Sequence, residues 1–76
     1  MSSPEKQALA FFIERGEYAE GLADTHLRDR ENDKARKLYQ EAFSFYMKAY
    51  KNSPSADQKQ EMKEKLLCVK DKGENC

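Results

Sequence analysis

The most constraining feature of this 76-residue chain is a central segment, residues 35–50, that is apolar around well over half of a helical circumference. Only a narrow polar stripe interrupts it, at the spacing i, i+4, i+7 and i+11. An ordinary surface helix shows the reverse proportion, so neighbours must cover this helix on two sides. It is therefore predicted to be the middle helix of three. Its apolar residues are Ala35, Leu38, Tyr39, Ala42, Phe43, Phe45, Tyr46, Ala49 and Tyr50, and its polar stripe is Lys37, Glu41, Ser44 and Lys48.

A first helix is predicted before this segment. Ser3 fits a helix cap and Pro4 the first helical position, where proline is favoured. Gly16 and Gly21 lie inside this helix, where glycine is unfavourable. Either the helix bends or breaks near Gly16, or these small residues allow another helix to approach closely. Asn32 and Asp33 are expected to cap the second helix after a short polar turn. The apolar stripe of the first helix comprises Phe12, Gly16, Ala19, Ala23 and Leu27, widened by Phe11, Tyr18 and Leu22.

A third helix is predicted after the central one. Ser55 with Gln58 fits a capping box, and Ser53 with Pro54 fits an alternative start. Gly73 is a typical C-terminal stop. Short loops between long helices favour antiparallel neighbours, so the prediction is an all-α, antiparallel, up-down-up three-helix bundle forming one domain over residues 1–76. The predicted helices span residues 4–29, 33–51 and 55–72.

Charge and composition argue against several classes of function. Fourteen basic and fourteen acidic residues cancel, so the excess positive field that drives nucleic-acid binding is absent, and no nucleic-acid partner is expected. No apolar run approaches the roughly 18 residues of a membrane helix, so no direct membrane insertion is expected. Two cysteines, Cys68 and Cys76, make no disulfide framework and fit free thiols in the cytoplasm.

Two helical runs carry a more specific pattern. The run ARKLYQEAFSFYMKAYK, residues 35–51, has an alanine, an apolar–tyrosine pair, alanine, aromatics, alanine and lysine in order. The run EMKEKLLCVKDK, residues 61–72, ends with a late Asp–basic pair. The two runs resemble the second and third helices of MIT (microtubule-interacting and trafficking) domains. The match covers about residues 33–72, whereas the first helix departs from the pattern at Leu27 and the first turn at Asn32.

The resemblance implies a non-catalytic interaction module. MIT domains bind C-terminal helical motifs of ESCRT-III subunits in a groove between helices two and three, or in one between helices one and three, and so recruit their parent proteins to endosomal and other membrane-remodelling sites. The same partners and location are therefore expected here, for a monomeric chain. The expected contacts of an amphipathic peptide are Phe43, Met47 and Tyr50 of the second helix and Met62, Leu66, Val69 and Asp71 of the third, with Asp71 pairing with a basic residue of the motif.

The pattern leaves two other functions open. A tetratricopeptide-like helical scaffold would suit Ala35, Tyr39 and Ala42, although only one unit is present. A self-associating subunit would bury its apolar edge against a second copy. An enzyme is not expected, because no set of convergent catalytic groups can be named, and with a single histidine, His26, neither a metal site nor any other cofactor is expected. In the groove hypothesis, Met47→Asp or Leu66→Asp weakens peptide binding and leaves the domain folded.

Overall fold

A computed structural model describes residues 4–75 and places them in three helices: α1 (Pro4–Arg28), α2 (Asn32–Lys51) and α3 (Ala56–Glu74). α2 packs against both other helices, which contact each other little. The molecule measures 43 × 21 × 13 Å, so it is a layer not much thicker than one helix. The predicted all-α up-down-up bundle with residues 35–50 in the middle is confirmed. The predicted cap at Ser3, and Cys76, lie outside the described residues.

The core is built on one face of α2, where tyrosine alternates with alanine at helical spacing. The two tyrosine side chains, Tyr39 and Tyr46, are almost completely buried. Small residues beside them let the flanking helices approach closely. Among the described residues of the helices, the others that are buried are Ala35, Ala42 and Ala49 on α2, Gly16, Ala19 and Ala23 on α1, and Met62, Leu66 and Val69 on α3.

α1 turns its small residues toward α2, whereas Phe11 and Tyr18 lie outside that contact. The sequence predicts one wide apolar stripe on this helix. In the structure Phe11, Tyr18 and Leu22 are instead 48%, 64% and 36% exposed. Leu27 is 37% exposed as well. The prediction is therefore wrong for the edge of the stripe, because α2 covers only its small-residue side.

Gly16 marks the closest approach of α1 to α2. A Cβ atom added at Gly16 would lie 2.6 Å from Cε1 of the Tyr46 ring, nearer than real side chains come. At Gly21 an added Cβ would meet nothing within 4 Å. Since α1 runs unbroken through both positions, Gly16 serves close packing, whereas Gly21 has no packing role.

The same substitution should therefore have opposite effects at the two glycines. Gly16→Ala should lower the free energy of unfolding, because overpacking against the buried Tyr46 ring costs about 1–3 kcal/mol and exceeds the roughly 1 kcal/mol of helix propensity gained. Gly21→Ala should raise it by up to about 1 kcal/mol, since only the propensity changes. Urea denaturation of both variants checks the signs, and a stable Gly16→Ala protein would contradict the close packing.

The turn between α1 and α2 is closed by backbone groups, without the predicted side-chain caps. Arg30 takes a positive φ of 63°. The amide of Glu31 donates to the carbonyl of His26 at 2.8 Å, and that of Arg30 to Leu27 at 3.0 Å, which is the Schellman pattern. Glu31 then occupies the N-cap position of α2 with no side-chain cap bond. The prediction that Asn32 and Asp33 cap α2 is wrong, because both lie inside its first turn.

α3 begins where the capping box predicts, but it does not end at Gly73. Ser55 is the N-cap, and its Oγ accepts a bond from the Gln58 amide at 3.2 Å. Gly73 does not stop the helix: α3 continues to Glu74, and no described glycine has a positive φ. An added Cβ at Gly73 would lie 3.4 Å from Cβ of Tyr39. Gly73 therefore brings the end of α3 close to α2.

Candidate functional site

A groove of about 430 Å³ runs between α2 and α3 on the outer side of the layer. It lies where the N-terminal half of α2 meets the C-terminal end of α3, because the two helices are antiparallel. Its floor is aromatic and aliphatic, and its rim carries charges of both signs. We call it the α2/α3 groove; it is lined by Arg36, Tyr39, Gln40, Phe43, Val69, Lys70, Gly73 and Glu74.

The floor of the groove is formed by side chains that also belong to the core. Val69 is 1% exposed, and Tyr39 is equally buried, so both present only an edge. Phe43 is half-buried and packs against the core cluster from the groove side. Gly73 has no side chain, so the groove is not filled at this position. Phe43 is therefore the main apolar contact that the groove offers.

Two of the seven predicted contact residues, Phe43 and Val69, line the α2/α3 groove. Met47 and Tyr50 lie further along α2, half-buried against the core cluster and outside the groove lining. The structure thus moves the groove one to two turns away from the centre that the sequence predicts.

The remaining three predicted contacts lie elsewhere. Met62 and Leu66 are buried, at 1% and 6% exposure. Leu66→Asp would bury a carboxylate in the core, so that variant is now expected to unfold the domain instead of testing the groove. Asp71 is exposed and does not line the groove, and its carboxylate accepts a bond from the Asn75 side-chain amide at 3.3 Å.

Most residues of the groove wall were not predicted from the sequence. Arg36, Gln40, Lys70 and Glu74 are polar and carry no periodic signal that separates a groove rim from a solvated face. Gly73 did carry a signal, because it follows Val69 by four residues and so lies on the same face of α3. A glycine at that spacing indicates close helix contact as well as a helix end.

A polar seam joins all three helices on the side of α3 opposite the groove. Lys72 of α3 forms ion pairs with Glu20 and Asp24 of α1, at 2.9 Å and 3.5 Å. Below it, Tyr46 Oη donates to Glu20 at 2.9 Å, and Tyr39 Oη donates to Asp24. Glu20 is therefore the acceptor that connects α1, α2 and α3.

The seam changes the proton affinities of its members. Burial, together with the hydrogen bond to Glu20, raises the pKa of the Tyr46 hydroxyl far above its usual value. The hydrogen bond from Lys72 to Glu20 raises the pKa of the Lys72 ammonium. The ion pair from Lys72 and the hydrogen bond from Tyr46 thus link α3 and α2 to the same carboxylate of α1. Lys70, which lines the groove, and Lys72 lie two residues apart and so point to different sides of α3.

The described residues offer little that would support another kind of site. His26 Nδ1 lies 3.1 Å from Glu31, which also pairs with Lys34 at 2.9 Å, and these bonds lower the pKa of Glu31. Residues 4–75 contain no group of three ligands that could hold a metal ion. Nor does any of the three helices, as described, have the length and apolar character of a membrane span.

Comparison with protein-family models, curated proteins and solved structures finds no match to the chain.

Proposed function

We propose that the chain is a non-catalytic module that binds the C-terminal helical motif of an ESCRT-III subunit in the α2/α3 groove. The observation that carries the proposal is the groove itself: an apolar floor between two long antiparallel helices of a layer that a fourth helix can extend. Helix-in-groove recognition needs such a floor, with apolar anchors of the peptide at i, i+3 or i+4, and i+7. The identity of the partner rests on the resemblance of α2 and α3 to MIT domains.

The rim of the groove fits an amphipathic peptide with charged flanks. Lys70 and Glu74 lie one turn apart on α3, and both line the groove. An acidic residue of the peptide would face Lys70, and a basic residue one turn away would face Glu74. We therefore assign to Glu74 the pairing with a basic residue that the resemblance implies for Asp71. Exposed pairs of this kind favour register and orientation more than affinity.

Helix lengths favour this function over a tetratricopeptide-like scaffold. α1 has 25 residues and α2 has 20. Together they exceed the roughly 34 residues of a complete tetratricopeptide unit. α3 also forms one wall of the groove, so the proposed binding site needs all three helices as one unit. In this function the module recruits a parent protein to endosomal or other remodelling membranes through its partner.

Titration with fluorescent C-terminal peptides of ESCRT-III subunits tests the proposal. We expect at least one tail to bind with a dissociation constant of tens of micromolar, about −6 kcal/mol, as is usual for a small groove. A scrambled peptide of the same composition should not bind, because its apolar anchors no longer share a face. Glu74→Gln should weaken the complex and Asp71→Asn should not. Absence of binding by every tail would contradict the proposed partner.

A further inference from the structure

A second apolar surface lies on the other side of α2, away from the α2/α3 groove. Phe11, Tyr18 and Leu22 of α1 follow one another at i, i+7 and i+11, so they share one face of the helix, and all three are exposed. Arg15 lies between them, with its guanidinium 5.3 Å from the centre of the Phe11 ring. We call these four residues the α1 stripe. Three exposed apolar residues on one face of a helix make this face a candidate interaction surface.

Two half-buried residues of α2, Leu38 and Phe45, widen the α1 stripe into a shallow groove of about 440 Å³. Glu41 and Lys48 line the same groove two turns apart. The Lys48 ammonium lies 5.7 Å from the centre of the Phe12 ring, which places it toward the Phe11 end of the stripe. Because α2 is antiparallel to α1, Glu41 lies toward the Leu22 end.

The α1 stripe is complementary to itself under a two-fold rotation. Two copies that cross antiparallel between residues 16 and 17 place Phe11 of each against Leu22 of the other, and Arg15 against Tyr18. The first contact buries apolar surface, and the second sets a guanidinium on a tyrosine ring, a favourable cation–π arrangement. Self-complementarity of this kind is what a two-fold symmetric interface requires.

The charges that border the stripe follow the same symmetry. The rotation exchanges the two ends of the stripe, so it turns Glu41 of each copy toward Lys48 of the other. A second copy therefore satisfies both the apolar stripe and the two opposite charges beside it. We infer that the α1 stripe, with Leu38, Phe45, Glu41 and Lys48, is the interface of a symmetric homodimer of this chain.

This interface is separate from the α2/α3 groove and goes beyond the proposed function. It makes the chain a dimer at high concentration, whereas a monomer is expected from the sequence. An interface confined to one side of α1 and α2 is small, and interfaces that bury less than about 1,200 Å² are typical of weak association. We expect a dissociation constant on the order of 100 μM, about −5.5 kcal/mol. Each dimer would leave two grooves open on its outer sides.

Sedimentation equilibrium between about 10 μM and 1 mM tests the inference, since this range brackets the expected dissociation constant. The average mass should rise from that of one chain toward that of two. Tyr18→Lys should hold the protein at the mass of one chain, because it replaces the ring that contacts Arg15 of the other copy with a second positive charge. Leu67→Lys is the matched control: Leu67 is 56% exposed on α3, outside the α1 stripe, and its replacement should leave dimerisation unchanged.

Charge exchange makes the test specific for the two-fold arrangement. Glu41→Lys alone and Lys48→Glu alone should each weaken self-association several-fold, since each sets like charges against one another. An equimolar mixture of the two single variants should dimerise again, because the mixed pair places lysine against glutamate at both ends. A protein that stays monomeric at the highest concentration, or a mixture that does not recover, would overturn the inference.

Discussion

Tyr46→Ala should cost about 3–5 kcal/mol of unfolding free energy, as the removal of large buried aromatic side chains does. The Tyr46 side chain is fully buried, its ring lies against Gly16, and its hydroxyl donates to Glu20. A domain of this size has a stability of only about 5 kcal/mol or somewhat more. The variant should therefore retain only a small part of the stability, and thermal denaturation followed by circular dichroism should show a much lower midpoint.

Two further variants separate the causes of this loss. Tyr46→Phe keeps the ring and loses only the hydroxyl, so it should cost about 1 kcal/mol, the net value of a typical hydrogen bond. The loss is modest because Glu20 still accepts from Lys72. Tyr18→Ala removes a tyrosine that is 64% exposed, and the stability of a dilute sample should change little. A Tyr46→Ala protein as stable as the wild type would contradict the packing of α1 on α2.

Under the proposed function, Phe43→Asp should weaken the binding of an ESCRT-III tail peptide by roughly 30-fold or more. Phe43 is the main apolar contact of the α2/α3 groove, and central anchors of this type typically contribute about 2 kcal/mol or more, which is roughly a 30-fold loss of affinity. For a complex with a dissociation constant of tens of micromolar, that loss moves it to about 1 mM. Isothermal titration calorimetry will measure the change.

Phe45→Asp is the matched control for this experiment. Phe45 is also a half-buried phenylalanine of α2, two residues away, but it borders the α1 stripe and not the α2/α3 groove. Both variants should lose a similar amount of stability, and only Phe43→Asp should lose the peptide. Lys70→Glu, on the exposed rim, should weaken binding several-fold with no effect on folding. Equal loss of affinity in the two phenylalanine variants would place the peptide outside the groove.

The sequence was sufficient to predict the architecture because one helix carries a strong signal. Apolar residues around most of α2 require neighbours on two sides, and α2 does lie between α1 and α3. The predicted helix boundaries differ from the observed ones by at most two residues. The error at the first turn has a local cause: a Schellman motif with Arg30 at positive φ ends α1 through backbone bonds, so the polar residues that follow are not needed as caps.

The placement of side chains around α1 could not be predicted in the same way. Helical periodicity identifies an apolar side of α1, but it does not say which edge of that side α2 covers. The answer depends on Gly16, which lets the Tyr46 ring approach and so favours the edge of small residues. The aromatic residues Phe11 and Tyr18 are left on the exposed edge as a consequence.

The candidate site was predicted in part. Phe43 and Val69 were found because apolar residues on facing helices at compatible spacing must meet somewhere along the α2–α3 contact. The position of the groove along α2 and α3 was not predicted correctly, because Gly73 was interpreted as a helix stop and not as a residue of the α2–α3 contact. In the structure Gly73 lies within α3 against Tyr39, and this contact places the open end of the groove near the C-terminus of α3.

A map of the peptide-binding surface by nuclear magnetic resonance will show whether the peptide occupies the α2/α3 groove. The 15N-labelled protein is titrated with an ESCRT-III tail peptide, at a dilution where the chain is monomeric. We predict that amide shifts change around Phe43 on α2 and from Val69 to Glu74 on α3, while those around Tyr18 on α1 stay fixed. Shifts confined to α1, or no shift with any tail, would contradict a groove between α2 and α3 as the binding site.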